Sequence, residues 1–548
     1  MQKSSSYTLV GNIVDLKKNK VFTGRIYVDN GRITAIEPDA SVSPAHTILP
    51  GLIDSHIHVE SSMLIPSEFA RLAVVNGTVA TVSDPHEIAN VLGVEGVEFM
   101  IQNGRKVPFK FYFGAPACVP ATPFETSGAS LGAEELAGLL RRDEVKYLSE
   151  MMNFPGVINH VPEEMAKIEI AHKFGKPVDG HAPGVKGDDA RKYAGAGVTT
   201  DHECFTMEEA LEKIRYGMKI QIREGSAAKN FEALIPLMEK HADKVLFCSD
   251  DKHPDDLSEG HINQLIKRAI AKGYDPLLVL KSVIVNPIEH YKLDVGMLQV
   301  GDAADMIVVD NLKDFNVLAT YVNGQKVAEN GHCLIESVAE ETPNKFLALP
   351  ITEDDIAVKD LGKQIRVIEA YDGELITGVL NVKPHVIDGN IVSDVEQDVM
   401  KMVVLNRYGQ AKPAVGFIKN VGIKKGAFAS SVAHDSHNIV AVGTSDKAIT
   451  QAINSIIKSK GGVVVVNDAH EEILPLPVAG LMSNKDAWEV AERYKYLDKK
   501  VHELGSQLRA PFMTLSFMAL LVIPDLKLSD KGLFDGTTFS FSSLYVDA

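Results

Sequence analysis

Apolar and polar residues alternate along residues 7–48, the pattern that half-buried β-strands produce. The tripeptide Asp29-Asn30-Gly31 breaks this alternation with the residue types that a tight hairpin turn requires. The same alternation returns after residue 290, where Val322-Asn323-Gly324 repeats the hairpin pattern. We therefore predict one small β-sandwich, built from residues 1–48 and 291–344 together.

A second pattern, a short apolar strand followed by a loop and a helix, repeats eight times between residues 49 and 290. The predicted strands end near His58, Asp84, Ala117, Glu150, His181, His202, Arg223 and Asp250. Eight such repeats predict a (β/α)8 barrel of the TIM type. A doubly wound sheet is the alternative, but no Gly-x-Gly-x-x-Gly follows an early strand.

Residues 345–548 mix apolar strands with helical stretches, for which we predict helices over residues 446–458 and 486–504. The apolar run from Phe512 to Ile523 is bounded by prolines and is too short to span a bilayer, which favours a buried helix. We therefore expect an α/β protein in which a flanking β-sandwich and a C-terminal α+β domain accompany the barrel.

Composition narrows the classes of partner. The net charge of −17 argues against nucleic acid or an anionic membrane as the main partner. The four cysteines include no Cys-x-x-Cys pair, which excludes a cysteine zinc cluster and suits reduced thiols. The N-terminus lacks the apolar core of a signal peptide, so we expect a soluble, cytoplasmic protein.

Candidate chemistry begins at His56-Ile57-His58, where the first predicted strand of the barrel ends. Alternate side chains of a strand share a face, so the two imidazoles point the same way and form half of a metal site. A chance His-x-His in a turn is the competing interpretation in a chain with 18 histidines.

The other strand ends strengthen the metal interpretation, because barrel enzymes carry their chemistry there. The candidate ligands are His56, His58, Glu150, His181, His202 and Asp250. Four imidazoles and two carboxylates suffice for two first-row divalent ions, which together produce hydroxide from water at neutral pH. Asp250 is our candidate for the base that moves the proton of this water, although the sequence is equally compatible with Asp250 as a ligand only.

Two further clusters could contact a substrate. Asp84, His86 and Glu87 follow the second strand, and Asp84 is as well suited to capping the next helix as to binding substrate. Ser62, just beyond the histidine pair, could line the pocket or cap a helix. The segment 434–438 in the C-terminal region could bind metal, lean over the barrel mouth or form a hydrogen-bonded turn. We favour contact with the barrel mouth over direct catalysis.

Leu49–His58 and Gly301–Asp305 resemble the amidohydrolase superfamily, and further segments resemble the branch of that superfamily that deaminates adenine. The segments that carry the second resemblance are 56–63, 83–87, 150–153, 179–183, 248–251, 433–438 and 475–482. The resemblance extends over nearly the whole chain. The histidine motif alone identifies only the superfamily, whereas the other segments are specific.

The resemblance implies a binuclear centre of the six candidate ligands, with Glu150 bridging the ions. It implies manganese, with iron or zinc as alternatives, and hydrolytic loss of ammonia from C6 of adenine to give hypoxanthine. Asp250 would pass a proton to the departing amine, and we interpret Asp84, His86, Glu87 and Ser62 as the residues that bind the purine. We further expect a homo-oligomer with a small-molecule substrate.

Two other functions compete with this one. The metal centre makes the nucleophile and does not set specificity, so another amidohydrolase that acts on a substituted purine or a cyclic amide remains open. A non-catalytic barrel that serves as a binding protein is the second alternative, and the six filled ligand positions argue against it. Base deaminases with a Pro-Cys-x-x-Cys zinc motif are excluded, because the chain has no such cysteine pair.

Overall fold

The computed structural model describes residues 6–467 and 470–546. Eight strands cross the central unit, which we define as residues 49–290. They are β1 (Leu52–Ile57), β2 (Thr78–Ser83), β3 (Lys110–Phe113), β4 (Leu148–Met151), β5 (Val178–Gly180), β6 (Thr200–Asp201), β7 (Lys219–Arg223) and β8 (Val245–Cys248).

Parallel pairing joins all neighbours among these strands except β5 and β6, which are linked by a hydrogen bond. Ladders join β1 to β2 and β3, β4 to β5, and β6 to β7 and β8. Parallel bridges link Ala115, just after β3, to Leu148 of β4, and Ile57 of β1 to Asp250, just after β8. The Thr199 amide beside β6 donates to the Val178 carbonyl of β5 at 2.8 Å. The carboxyl ends of all eight strands therefore meet at one edge, which collects the side chains that follow them.

Seven of the eight predicted strand ends lie within two residues of the observed ones. The predicted end of the third strand differs more. The third predicted end is Ala117, whereas β3 ends at Phe113. Beyond it, Ala115 makes only an isolated bridge, and Pro116 has no amide hydrogen with which to extend the ladder.

Helices alternate with these strands, as the sequence predicts. The α-helices are Pro66–Val75, His86–Leu92, Val94–Gly104, Ala133–Leu140, Phe154–Ile158, Pro162–Lys173, Gly187–Gly195, Met207–Arg215, Phe231–Leu234, Pro254–Glu259, Ile262–Ala271, Pro276–Leu280 and Asn286–Tyr291. Shorter helical turns are Val59–Ser62, Ile235–Glu239, Ala242–Lys244 and Lys281–Val285. Their apolar faces pack on the strands and bury both in one large core.

Both flanks of the central unit enter one eight-stranded sheet. Its strands are Tyr7–Asp15, Lys20–Asp29, Arg32–Pro38, Thr47–Pro50, Met306–Val309, Val317–Val322, Gln325–Glu329 and His332–Cys333. Thr47–Pro50 joins the flanks, because it pairs in parallel with the first strand and antiparallel with Met306–Val309. The hairpin at Asn30-Gly31 is present, and both residues have the positive φ that its turn requires.

The C-terminal region contains a second eight-stranded sheet and smaller ones. Its strands are Val358–Lys359, Ile365–Ala370, Thr377–Val382, His385–Ile387, Asn390–Val392, Val399–Leu405, Ala414–Lys419, Ala427–Ser430, Ile439–Gly443, Gly462–Asn467, His470–Pro475, Leu526–Ser529, Gly532–Asp535 and Ser540–Phe541. Its α-helices are Asp446–Ser459, Ala487–Leu504 and Pro511–Phe517, and a short helical turn covers Glu353–Ile356. The first two α-helices confirm the predicted ones.

The apolar run from Phe512 to Ile523 is buried within the chain. Only its first half is helical, in Pro511–Phe517, so the predicted helix is shorter than the apolar run. Side chains of this run belong to the same hydrophobic core as the central unit. The C-terminal region therefore packs directly against the central unit. Among the helices that the structure describes, none combines the length and the apolar character that crossing a membrane requires.

Candidate metal centre

His56 and His58, at the end of β1, meet Asp250 because β1 and β8 are neighbours. The Asp250 amide donates to the His56 carbonyl at 2.9 Å, and the His58 amide donates to the Asp250 carbonyl. Across this contact, Asp250 Oδ1 lies 3.5 Å from His56 Nε2 and 3.3 Å from His58 Nε2. His58 Nε2 also lies 3.3 Å from Glu150 Oε1. Three strand ends thus converge on one group of donor atoms.

The second group forms around the other oxygen of Glu150. Glu150 Oε2 lies 2.8 Å from His181 Nδ1 and 3.3 Å from His202 Nε2. Glu150 therefore turns one oxygen towards His58 and the other towards His181 and His202. That orientation is the one a carboxylate needs to bridge two ions. The structure brings all six predicted ligands together.

The donor set fits two divalent ions. Donors around an ion that binds each of them at about 2.1 Å lie about 3.0–3.4 Å apart, close to most separations seen here. All six side chains are buried, and His56 Nε2 has no hydrogen-bond partner among the described residues. An unsatisfied buried acceptor costs free energy, and a cation at this position would remove that cost.

Asp250 is ionised and held in place by Arg223. Its Oδ2 accepts a hydrogen bond from Arg223 Nη1 at 2.7 Å, and the same guanidinium binds Glu203. Burial raises the pKa of Asp250, but Arg223 and the neighbouring imidazoles lower the pKa more and hold it well below its usual range. The backbone of Asp250 has φ 55°, a strained conformation for a residue other than glycine and one that recurs at functional sites.

Arg223 and Glu203 contact candidate ligands, although the sequence pattern did not predict them as site residues. Glu203 Oε1 lies 3.5 Å from His202 Nε2 and 3.6 Å from His181 Nδ1. The signal was available in the sequence, because Arg223 ends β7 and Glu203 directly follows a candidate ligand. What the sequence does not show is that their side chains meet.

The four predicted substrate-binding residues have different surroundings. His86 and Glu87 line a small cavity beside the candidate ligands, whereas Asp84 and Ser62 are not among its lining residues. Asp84 accepts hydrogen bonds from the His86 backbone at 3.1 Å and from His86 Nδ1 at 3.0 Å, assigning Nδ1 as the donor. The Ser62 hydroxyl donates to the Val59 carbonyl at 2.6 Å. Asp84 therefore holds the start of helix His86–Leu92 together with the His86 ring.

The cavity measures about 20 Å³ and is lined from two regions of the chain. A space of that size admits about one water molecule, so a planar ring enters only if part of the wall moves. The C-terminal region supplies part of the wall, through Leu375, His434, Asp435, Phe517 and Leu520. The site is therefore shared between the central unit and the C-terminal region.

Segment 434–438 makes the predicted contact with the central unit. His434 Nδ1 lies 2.5 Å from Glu87 Oε1, and His437 Nε2 is in very close contact with Glu87 Oε2. His434 Nε2 lies 3.7 Å from Asp251 Oδ1, at the end of β8. The segment thus contacts the strand-end loops that surround the candidate metal centre.

Comparison with known proteins places this site in a class. The sequence model described as "Amidohydrolase family" matches residues 47–327, which include all six candidate ligands. The match places this site in the class of the amidohydrolases, and membership of that family implies a divalent metal at such a centre.

Matches over the whole chain define the group within that class. The model described as "Adenine deaminase C-terminal domain" matches residues 374–540. "Adenine deaminase" of Salinibacter ruber is 55% identical, over 99% of this chain and 100% of the relative. "Adenine deaminase" of Methanosarcina mazei is 53% identical over 98% and 99%, and that of a Sulfurovum strain is 56% identical over 97% and 98%. The chain belongs to the adenine deaminase family of amidohydrolases.

Proposed function

We propose that the chain hydrolyses adenine to hypoxanthine and ammonia. The observation that carries this proposal is the identity of more than half of the residues to relatives named adenine deaminase, over nearly the full length of both chains. The geometry supports the hydrolytic part, because the candidate ligands form groups that could hold a metal ion, and four of them line a cavity that admits water: His58, Glu150, His181 and Asp250.

The architecture that we propose is a (β/α)8 barrel over residues 49–290. The parallel ladders and the bridge from Ile57 to Asp250, which joins the first strand to the last, support it. The flanks 1–48 and 291–344 would form the small β-sandwich, and residues 345–548 the C-terminal α+β domain. In such a barrel, chemistry at the carboxyl ends of the strands is the rule.

We assign His56, His58, Glu150, His181, His202 and Asp250 as the residues that would hold two divalent ions, with manganese first and iron or zinc as alternatives. When bound, the ions lower the pKa of water and so supply a hydroxide nucleophile near neutral pH. Oxygen and imidazole donors suit each of these metals. Glu150 would bridge the two halves of the centre, because its oxygens face opposite groups of histidines.

Asp250 would move the proton. Its Oδ2 accepts one hydrogen bond from Arg223 and keeps a second lone pair, on which it can take a proton from the attacking water and return it to the departing amine. Arg223 fixes the carboxylate during this transfer, and Glu203 fixes Arg223 in turn.

The purine would lie against the wall formed by His86 and Glu87. His86 Nε2 and Glu87 Oε1 are buried and make no regular hydrogen bond with the described residues, so both could bind ring atoms of a substrate, Glu87 Oε1 from its place beside His434. Asp84 and Ser62 would support this wall, Asp84 by orienting the His86 ring and Ser62 by fixing the turn after His58.

The protein loaded with Mn²⁺ is expected to form one hypoxanthine and one ammonia for each adenine consumed. Removal of metal by a chelator should abolish the reaction, and added Mn²⁺ should restore it. The same protein is assayed with substituted purines and cyclic amides, with hypoxanthine followed by absorbance and ammonia by a coupled assay. Faster turnover of one of those compounds would replace adenine as the substrate. Protein that is purified without metal and gains no activity from added Mn²⁺ would favour a binding protein.

Glu87→Gln is expected to raise KM for adenine by about tenfold or more, because the substitution removes a charged hydrogen-bond acceptor from the cavity wall. Steady-state kinetics with metal content measured in parallel would show it. Glu95→Gln is the matched control, since Glu95 also lies in the first turn of a helix but is exposed. Equal KM values for the two variants would contradict a role of Glu87 in substrate binding.

A further inference from the structure

Glu87 belongs to the central unit, yet imidazoles of the C-terminal region face both of its oxygens. His437 contacts Oε2 and His434 lies beside Oε1. The Glu87 side chain is 2% exposed, so these imidazoles take the place that water has around a surface carboxylate. Glu87 and His437 are 350 positions apart in the chain.

The tautomer of His437 follows from its backbone partner. The Ala433 amide donates a hydrogen bond to His437 Nδ1 at 3.2 Å, so Nδ1 is the acceptor nitrogen of the ring. In the neutral ring, Nε2 then carries the proton and donates it to Glu87 Oε2. Burial lowers the pKa of His437, although Glu87 opposes this, and the lowered pKa agrees with a neutral ring.

The segment that carries these imidazoles is itself fixed. The Tyr408 hydroxyl donates to the Ser436 carbonyl at 2.6 Å, and Asn438 Nδ2 donates to the Thr126 carbonyl of the central unit at 2.9 Å. The His434 amide donates to Ser516 Oγ at 3.1 Å. Because it is anchored on both sides, the segment can hold a neighbouring side chain in one orientation.

Oε1 differs from Oε2 in its hydrogen bonding. His437 Nε2 forms a hydrogen bond with Oε2, whereas Oε1 makes no regular hydrogen bond with the described residues and has His434 Nδ1 at 2.5 Å as a close neighbour. Glu87 also lines the cavity. One oxygen is therefore held by a hydrogen bond from the C-terminal region, and the other contacts His434 without a regular hydrogen bond of its own.

We propose that His437 is a positioning residue of the active site: by donating to Glu87 Oε2 it orients Glu87 Oε1 towards the substrate, with His434 packed beside it. The C-terminal domain thereby completes the substrate-binding wall of the central unit. This inference rests on the proposed function, because it assigns Glu87 to substrate binding.

A double-mutant cycle tests the inference. His437→Leu removes the donor and is expected to raise KM for adenine about tenfold, with less change in kcat and unchanged metal content. His437→Gln keeps a donor near the position of Nε2 and should restore most of the loss. In protein that already carries Glu87→Gln, His437→Leu should raise KM by less than about twofold, because the partner through which it acts is gone.

Independent effects of the two substitutions, whose fold-changes in KM multiply, would overturn the inference. So would a Gln variant as impaired as the Leu variant. A third Mn²⁺ per chain that is lost in Asp435→Asn would also overturn it, since His86, Glu87 and Asp435 offer donor atoms within 4.8 Å of one another, and an ion would then hold Glu87.

A measurement without turnover separates this inference from the proposed function. In ¹⁵N-histidine NMR spectra of the full-length protein, His437 should show a neutral ring protonated at Nε2, and Glu87→Gln should shift that signal. A ring protonated at Nδ1 would refute the positioning role. This result stands even if wild-type protein fails to deaminate adenine, and it decides the matter if His437→Leu does not fold.

Discussion

Asp250→Asn is expected to lower kcat for adenine by about 10³-fold or more, the largest loss from any single substitution that we predict here. An amide cannot take the proton of the attacking water, and general acid–base catalysis is worth about 10²–10⁴-fold. The substitution also places an amide nitrogen or a neutral oxygen beside Arg223 Nη1, which now lies 2.7 Å from Asp250 Oδ2. Initial rates with metal content measured on the same sample would establish the loss.

Metal content separates the two roles that Asp250 could have. If both ions stay bound and kcat falls, the loss reports proton transfer by Asp250; if one ion is lost with the activity, the loss reports its role as a ligand. Asp179→Asn is the matched control, because Asp179 is also a buried strand-end carboxylate but binds Tyr291 and Thr200. Its kcat should stay within a few-fold of wild type. A normal kcat for Asp250→Asn with both ions bound would exclude Asp250 as the base.

Much of the metal centre was predictable because its determinants are local. His56 and His58 share a face through the period of a strand, and the end of an apolar run places Glu150, His181 and His202 at an edge. Once parallel strands are assumed, these side chains must meet. The sequence pattern therefore sufficed to predict both the strand–helix repeat of the central unit and its candidate ligands.

Contacts between distant segments were not predictable in the same way. The pairing of Arg223 with Glu203 and Asp250 depends on how side chains of neighbouring strands lean, which periodicity does not fix. The contact of Glu87 with His437 depends on how the C-terminal region docks. The sequence marked segment 434–438 as polar and dense, but only the packed chain shows which carboxylate it holds.

Buried cationic side chains lie beside several of the buried carboxylates at the strand ends. Arg223 is one and Lys213 is another; both side chains are almost completely buried. Lys213 Nζ donates to Asp201 Oδ2 at 3.0 Å and to Glu209 Oε1 at 2.8 Å. Asp201 immediately precedes the candidate ligand His202, so Lys213 stabilises the strand end that carries this ligand.

Lys213→Met is expected to destabilise the central unit by about 3–5 kcal/mol, because it leaves two buried carboxylates without their cation. Burial lowers the pKa of Lys213, but Asp201 and other nearby acidic groups raise it above its ordinary value, so the lysine is charged at any working pH. The midpoint of thermal unfolding of the central unit should fall by roughly 6–20 °C in calorimetry.

Lys192→Met provides the matched control. Lys192 lies one helix earlier and also pairs with two carboxylates, Asp188 and Asp189, but on the surface. Its pair with Asp188 has the same i,i+4 spacing as the pair of Lys213 with Glu209. Water already solvates those charges, so replacing Lys192 by Met should leave the unfolding midpoint unchanged. Equal shifts for the two lysines would mean that burial does not set the strength of the Lys213 pairs. A large shift for Lys213 alone would show that the His202 strand end depends on a cation supplied by the neighbouring helix.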